Sequence, residues 1–187
     1  MLEQQKQCEG IEANDQRAAI IRVVRTHGPL FVCEDPSVFL QTLPQAQKKH
    51  HSGAPLSIEE LEYLSHTHTI EFLSEDDARC REYLRERHTL SCRVYRHLTD
   101  VEGLRLRHGS QFGAAFIGYR DVESHGDCLV FFGPLAHLAT VAAVRVACSV
   151  AKEAWVVEEL PSSGGSGGES STNGFSVTKL DKCRGGD

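Results

Sequence analysis

Tyr119, His125 and Lys152, all within the stretch from His108 to Lys152, are residues of the types that can cleave a phosphodiester without a metal. Internal transesterification needs a ribose 2′-hydroxyl deprotonated, the 5′-oxygen protonated as it leaves, and the added charge of the phosphorane stabilised. His125 suits the acid role, because an unperturbed pKa of about 6.5 leaves a protonated fraction near neutrality. Lys152 supplies a cation for the phosphorane oxygens. Tyr119 is left as the base, and a phenol of pKa about 10 is a poor base at pH 7. The ammonium of Lys152 and a basic rim around the site are expected to lower it. Since the nucleophile belongs to the substrate, DNA lies outside this chemistry.

The elements that must position these groups can be read from local pattern. Phe112 to Tyr119 and Cys128 to Phe132 are apolar runs of strand type, joined by the polar connection Arg120 to Ser124, so a hairpin would bring Tyr119 and His125 to one rim. Pro134 opens a helix over about Leu135 to Val150, whose alanines and valines predict a buried element, and Lys152 follows at the start of another strand, Ala154 to Val157. Upstream, Arg17 to Val24 and Leu30 to Cys33 are short apolar runs around the turn-like Thr26–Pro29, and a short helix over Ser37–Leu43 is expected with Ser37 as its cap. Residues 44–55 read as a surface loop. Ser57 and Glu60 form a capping box before Leu61 and Leu64, and His66 to Leu73 suggests a strand. From Ser74, apolar residues recur at helical spacing as far as Leu98, with a break at Thr89–Cys92. Leu104 and Leu106 are strand-like. Phe175 to Leu180 alternates as a last strand behind a Ser/Gly-rich loop, 161–173.

This order predicts an α+β fold. Residues 1–16 would be a loose tail, 17–73 a small N-terminal α+β domain, and 74–187 a C-terminal domain carrying the chemistry. At 187 residues the chain can bury a core without staples, and seven scattered cysteines with no CxxC pair fit a reduced compartment better than a disulfide scaffold. No signal peptide is visible, and Pro134, His137 and Arg145 interrupt the longest apolar region, so no membrane span is expected. The net charge of −6 argues against a protein that coats nucleic acid, although Arg79, Arg81, Arg85, Arg87, Arg93, Arg96, Arg105 and Arg107 crowd one third of the chain. They are either a phosphate-binding surface or a solvated helix face paired with Glu82 and Glu86.

Each candidate also has an ordinary explanation. A strand-end tyrosine packs, a histidine after a loop caps, and a lysine at a helix C-terminus complements the dipole. Arg145 either binds phosphate or secures its helix through an ion pair. His50–His51 and His66-x-His68 lack a third ligand nearby, so neither a metal nor a cofactor is expected.

The order of pieces from Pro55 to Val157 resembles the tRNA-splicing endonuclease family. The resemblance is carried by Arg93-Val94-Tyr95-Arg96-His97-Leu98, Gly109, Phe112-Gly113, the strand ending at Tyr119, His125, Cys128 to Phe131, and Arg145-Val146-Ala147-Cys148-Ser149-Val150-Ala151-Lys152, with PLSIEELEYLSHTHTIEFL upstream. It implies a restriction-endonuclease-like mixed sheet flanked by helices in the C-terminal domain. It also implies metal-independent excision of introns from precursor tRNA, leaving a 2′,3′-cyclic phosphate and a 5′-hydroxyl, with Tyr119, His125 and Lys152 as the catalytic residues of a catalytic subunit. Arg145 and Lys179 are the expected RNA contacts. Assembly with itself or with other subunits, partly through the last strand, is implied too, in a nuclear setting or a cytoplasmic one if prokaryotic. The chain departs from the pattern in its short Tyr119–His125 loop, in Ala115 where Asp is common, and in Lys179 where an arginine is usual; lysine has no planar guanidinium to stack on a base. Two rivals remain: a non-catalytic RNA-binding subunit of the same fold, and a DNA nuclease, for which no acidic pair sits on the strands between Phe112 and Val157.

Overall fold

The computed structural model describes residues 19–44, 53–161 and 174–180. The expected tail, His50–His51 and nearly all of the Ser/Gly-rich loop lie outside the described residues. Two mixed sheets and four helices make up the α+β architecture.

The first sheet has the order β3-β2-β1-β4 and is built from β1 (Ile20–His27), β2 (Leu30–Cys33), β3 (Ala54–Leu56) and β4 (Thr69–Phe72). Gly28, at φ 57, lets β1 fold straight back into β2, so the turn is tighter than the sequence suggests and Thr26 and His27 belong to the strand. β1 then pairs in parallel with β4, and the crossover between them carries α1 (Ile58–Leu64). The capping box is present as expected, with Ser57 and Glu60 satisfying each other's backbone amides. Ile21, Val23, Phe31, Phe39, Leu56, Leu61 and Leu64 fill the core of this half.

Two expectations fail here. The helix over Ser37–Leu43 is a single 3-10 turn, Pro36–Phe39, capped by Asp35, whose carboxylate accepts from the Ser37 amide. Pro36 at its first position makes Asp35 the residue with the free side-chain acceptor. The presumed surface loop ends in β3, which pairs with β2 through Phe31↔Leu56 and Cys33↔Ala54 and buries Ala54 and Leu56.

α2 (Glu75–Arg87) and α3 (Thr89–Asp100) link the two halves, with the break at His88. The second sheet has the order β5-β6-β7-β8-β9, from β5 (Arg105–His108), β6 (Phe116–Tyr119), β7 (Cys128–Phe132), β8 (Glu153–Glu159) and β9 (Phe175–Leu180). All its neighbours are antiparallel except β7 and β8, whose parallel pairing is bridged by α4 (His137–Ser149). Phe112 is not part of β6. It ends a 3-10 turn, and Gly113 at φ 65 redirects the chain before the strand begins.

α3 covers one face of this sheet, where Val94, Tyr95 and Leu98 meet Leu106, Phe116, Val130, Trp155 and Val157. α4 covers the other, above Ala114, Ile117, Tyr119, Leu129 and Ala154. The helix begins at His137, two residues later than expected, and it is not buried: only Ala143 and Ala147 are, and Leu138 is 80% exposed. Apolar composition predicts burial only where another element is available to cover the surface, and here α4 rests on the sheet by one narrow stripe.

Candidate active site at the β6–β7–β8 rim

The C-terminal end of β6 and the N-terminal ends of β7 and β8 lie side by side, so residues distant in sequence arrive at one edge. Gly118 pairs with Cys128, and Cys128 pairs with Glu153. Asp127 ties the three strands together. Its amide donates to the Gly118 carbonyl at 2.7 Å, its carboxylate accepts from the Arg120 amide at 2.8 Å, and its carbonyl accepts from the Glu153 amide at 2.9 Å. Tyr119, Asp127 and Lys152 therefore occupy neighbouring positions, with His125 two residues before Asp127 on the exposed connection. That connection runs from Arg120 to Asp127, longer than the five residues the sequence suggests.

Lys152 is fixed from both sides. Its amide donates to Ala147 at 2.8 Å, while Ala151 takes the left-handed conformation at φ 53 to turn the chain from α4 into β8. Its ammonium donates to the carbonyl of Gly126, adjacent to His125 in the chain. A side chain at position 126 would not fit: a Cβ there would lie 2.5 Å from Ile117 Cγ2 and 3.2 Å from Lys152 Nζ. No local pattern in the sequence marks Asp127 and Gly126, whose hydrogen bonds depend on pairings between strands.

Tyr119 is on the inward side of the rim. It is 6% exposed and packs in the cluster formed by Ile117, Leu129, Ala147 and Ala154. Burial pushes its phenol above the ordinary tyrosine range. The cation that opposes this rise is Arg107, not Lys152, and Glu60 adds to it. The expectation that Lys152 and a basic rim bring the phenol down is thus corrected: desolvation outweighs the charges, and the opposing cation is Arg107 of β5.

Arg145 is exposed on α4 and makes no ion pair among the described residues, so nothing there secures the helix through it. Lys179 lies opposite Trp155, its ammonium 4.4 Å from the indole centroid. A small cavity of about 190 Å³ beside Lys152 is lined by Val144, Cys148, Glu153 and Lys179 among others. β9 is the outer strand of the sheet, with one edge unpaired among the described residues.

The arginine-rich third resolves largely into ion pairs. Arg79 meets Asp76, Arg81 meets Glu62, Arg85 meets Glu82, Arg93 meets Glu159 and Arg107 meets Glu60. Arg87 lies against Tyr83, and only Arg96 and Arg105 of the eight lack such a contact among the described residues. The paired-helix explanation accounts for most of this charge. Among the described residues, no group of three or more His, Cys, Asp or Glu is placed to hold a metal ion.

Residues 88–164, from α3 to just beyond β8, match the family model described as tRNA intron endonuclease, catalytic C-terminal domain. The match supports a tRNA intron endonuclease family member, with this part of the chain similar to that family's catalytic C-terminal domain. No curated protein matches the chain.

Proposed function

We propose that this chain is a catalytic subunit that cuts precursor tRNA at intron boundaries by metal-independent transesterification. In this reading Tyr119 takes the 2′-hydroxyl proton as the O2′–phosphorus bond forms. Lys152 balances the charge gathering on the phosphorane oxygens. His125 protonates the 5′-oxygen as the phosphorus–O5′ bond breaks. The products are a 2′,3′-cyclic phosphate and a 5′-hydroxyl. The observation that carries the reading is the anchoring of the Lys152 ammonium on the Gly126 carbonyl, which fixes a cation next to His125 on the rim where β6 ends.

Arg145 and Lys179 supply RNA contacts in this reading, the exposed guanidinium reaching phosphate and Lys179 working from β9. Assembly with copies of the chain or with other subunits uses the open edge of β9, and the work is done in the nucleus, or in the cytoplasm of a prokaryote.

One observation favours a second reading, a non-catalytic RNA-binding subunit: Tyr119 is buried and its phenol is held protonated. The two separate in a cleavage assay of a bulge-helix-bulge RNA in EDTA with the assembled protein. The catalytic reading expects cyclic-phosphate product, lost in His125→Ala while assembly persists. An intact wild-type assembly that binds the RNA and leaves it whole establishes the second.

A further inference from the structure

Arg107 lies on β5 opposite Ile117 of β6, and Tyr119 is two residues further along β6, so both side chains project from the same face of the sheet. A diagonal neighbour of this kind is within reach of a long side chain. The guanidinium is not free to wander: Nε lies 3.0 Å from the Glu60 carboxylate of α1, and an Nη donates to the Pro55 carbonyl at 3.4 Å. Glu60 is 2% exposed and is itself fixed by the Ser57 amide at 2.9 Å. Arg105, directly opposite Tyr119 in the ladder, is the other charged residue of β5 on this face, and the remaining elements packed around Tyr119 contribute apolar groups: Val144, Val146, Ala147 and Val150 from α4 and its end, Leu129 from β7, Ala154 from β8 and Leu180 from β9. At the rim beyond them stand Asp127, held by the Arg120 amide, Lys152, held on Gly126, and the exposed His125.

Resting on the catalytic reading above, we infer that Arg107, held by Glu60 from the first half of the chain, is a positioning residue for Tyr119, a fixed cation that stabilises the phenolate needed to take up the 2′-hydroxyl proton. The first half of the molecule then has a part in the chemistry beyond its own folding, since α1 decides where this cation sits. The electrostatics of the phenol agree, with Arg107 favouring its ionised form and Glu60 opposing it.

The test is an NMR pH titration of ring-labelled tyrosine in the full chain, with the Tyr119 signal assigned by its loss in Tyr119→Phe. Arg107→Gln is expected to move the Tyr119 titration to higher pH, Glu60→Gln to lower pH, and Arg107→Lys to leave it near wild type. Opposite signs from two partners of one ion pair are not produced by general loosening of the fold. If Arg107→Gln does not fold, the Glu60→Gln and Arg107→Lys pair still decides the matter. A Tyr119 titration that is the same in every folded variant overturns the inference. The cleavage rate against pH, measured in parallel, should fall by about tenfold at neutral pH in Arg107→Gln and recover in Arg107→Lys. A shifted titration with an unshifted rate profile instead overturns Tyr119 as the base while leaving the Arg107 contact in place.

Discussion

The face of the second sheet that meets α3 is filled by Tyr95, Phe116, Phe132 and Trp155, whereas the face beneath α4 is filled mostly by Ala114, Ile117, Ala147 and Ala154. On the α3 side, Tyr95 and Phe116 stand edge to face with ring centroids 5.5 Å apart, and Phe116 meets Phe132 at 5.9 Å. Aromatic contacts of this kind add to an already large burial of surface. On the α4 side the helix contributes two fully buried alanines and leaves Leu138 in solvent. The difference separates two kinds of face: one is closed by large aromatic side chains, while the other is closed by small ones and leaves its rim open.

The sharpest way to test that division is at the rim. Lys152→Ala should reduce cleavage by about 10²- to 10³-fold while thermal melting stays close to wild type, because a half-buried lysine is removed and its partner is a backbone carbonyl. A large loss of stability would show that the rim belongs to the scaffold. On the α3 face, Phe116→Ala should cost about 3–5 kcal/mol in denaturant unfolding, against about 1 kcal/mol for Val144→Ala on the α4 face. Similar costs would erase the contrast.

The two faces also differ in how they respond to alkali. Burial raises the pKa of Tyr95 well above the ordinary range and of Tyr119 less completely, and pushes the thiols of Cys33, Cys92 and Cys128 up to about 12. Groups whose folded pKa is raised keep their protons when the unfolded chain releases them, so their contribution is complete below the unfolded pKa and is lost progressively as pH rises from there through the folded pKa. Stability should therefore decline from about pH 9 upward, first through the thiols and then through the phenols. Tyr95→Phe should flatten the phenol part of that decline more than Tyr119→Phe does, as read from denaturant midpoints between pH 9 and 11.

Smaller effects sharpen the picture of α4. Ala151 holds a left-handed conformation that costs a residue with a Cβ about 1 kcal/mol or more, so Ala151→Gly should stabilise the fold by about that amount. Leu138→Ser, at an exposed site, should change monomer stability by no more than about 0.5 kcal/mol.

Much of this was legible where a few adjacent residues decide the outcome. The Ser57–Glu60 capping box and the β7–α4–β8 sequence of elements were found because their signals are local. β3 was missed because Pro55 sits at its centre and its burial is decided by β2, more than twenty residues earlier. The exposure of α4 was missed because composition says what a surface prefers, not whether a neighbour exists to cover it. The nearness of the end of β6, the turn before β7 and the start of β8 follows from strand order that the hairpin pattern foreshadowed, whereas the electrostatics of Tyr119 depend on Arg107 and Glu60, which no spacing rule connects to it.

α1 turns three acidic side chains toward the rest of the chain: Glu59 accepts from Ser91, Glu60 faces Arg107, and Glu62 meets Arg81. A growing polypeptide completes the first sheet when Phe72 emerges from the ribosome, 35 residues before Arg107 emerges. For that interval Glu60 lacks the Arg107 guanidinium, and burying it ionised is unfavourable. The early half of the nascent protein is thus less stable than its finished form, and it settles only as later residues arrive, so folding of the two halves is linked in time as well as in space.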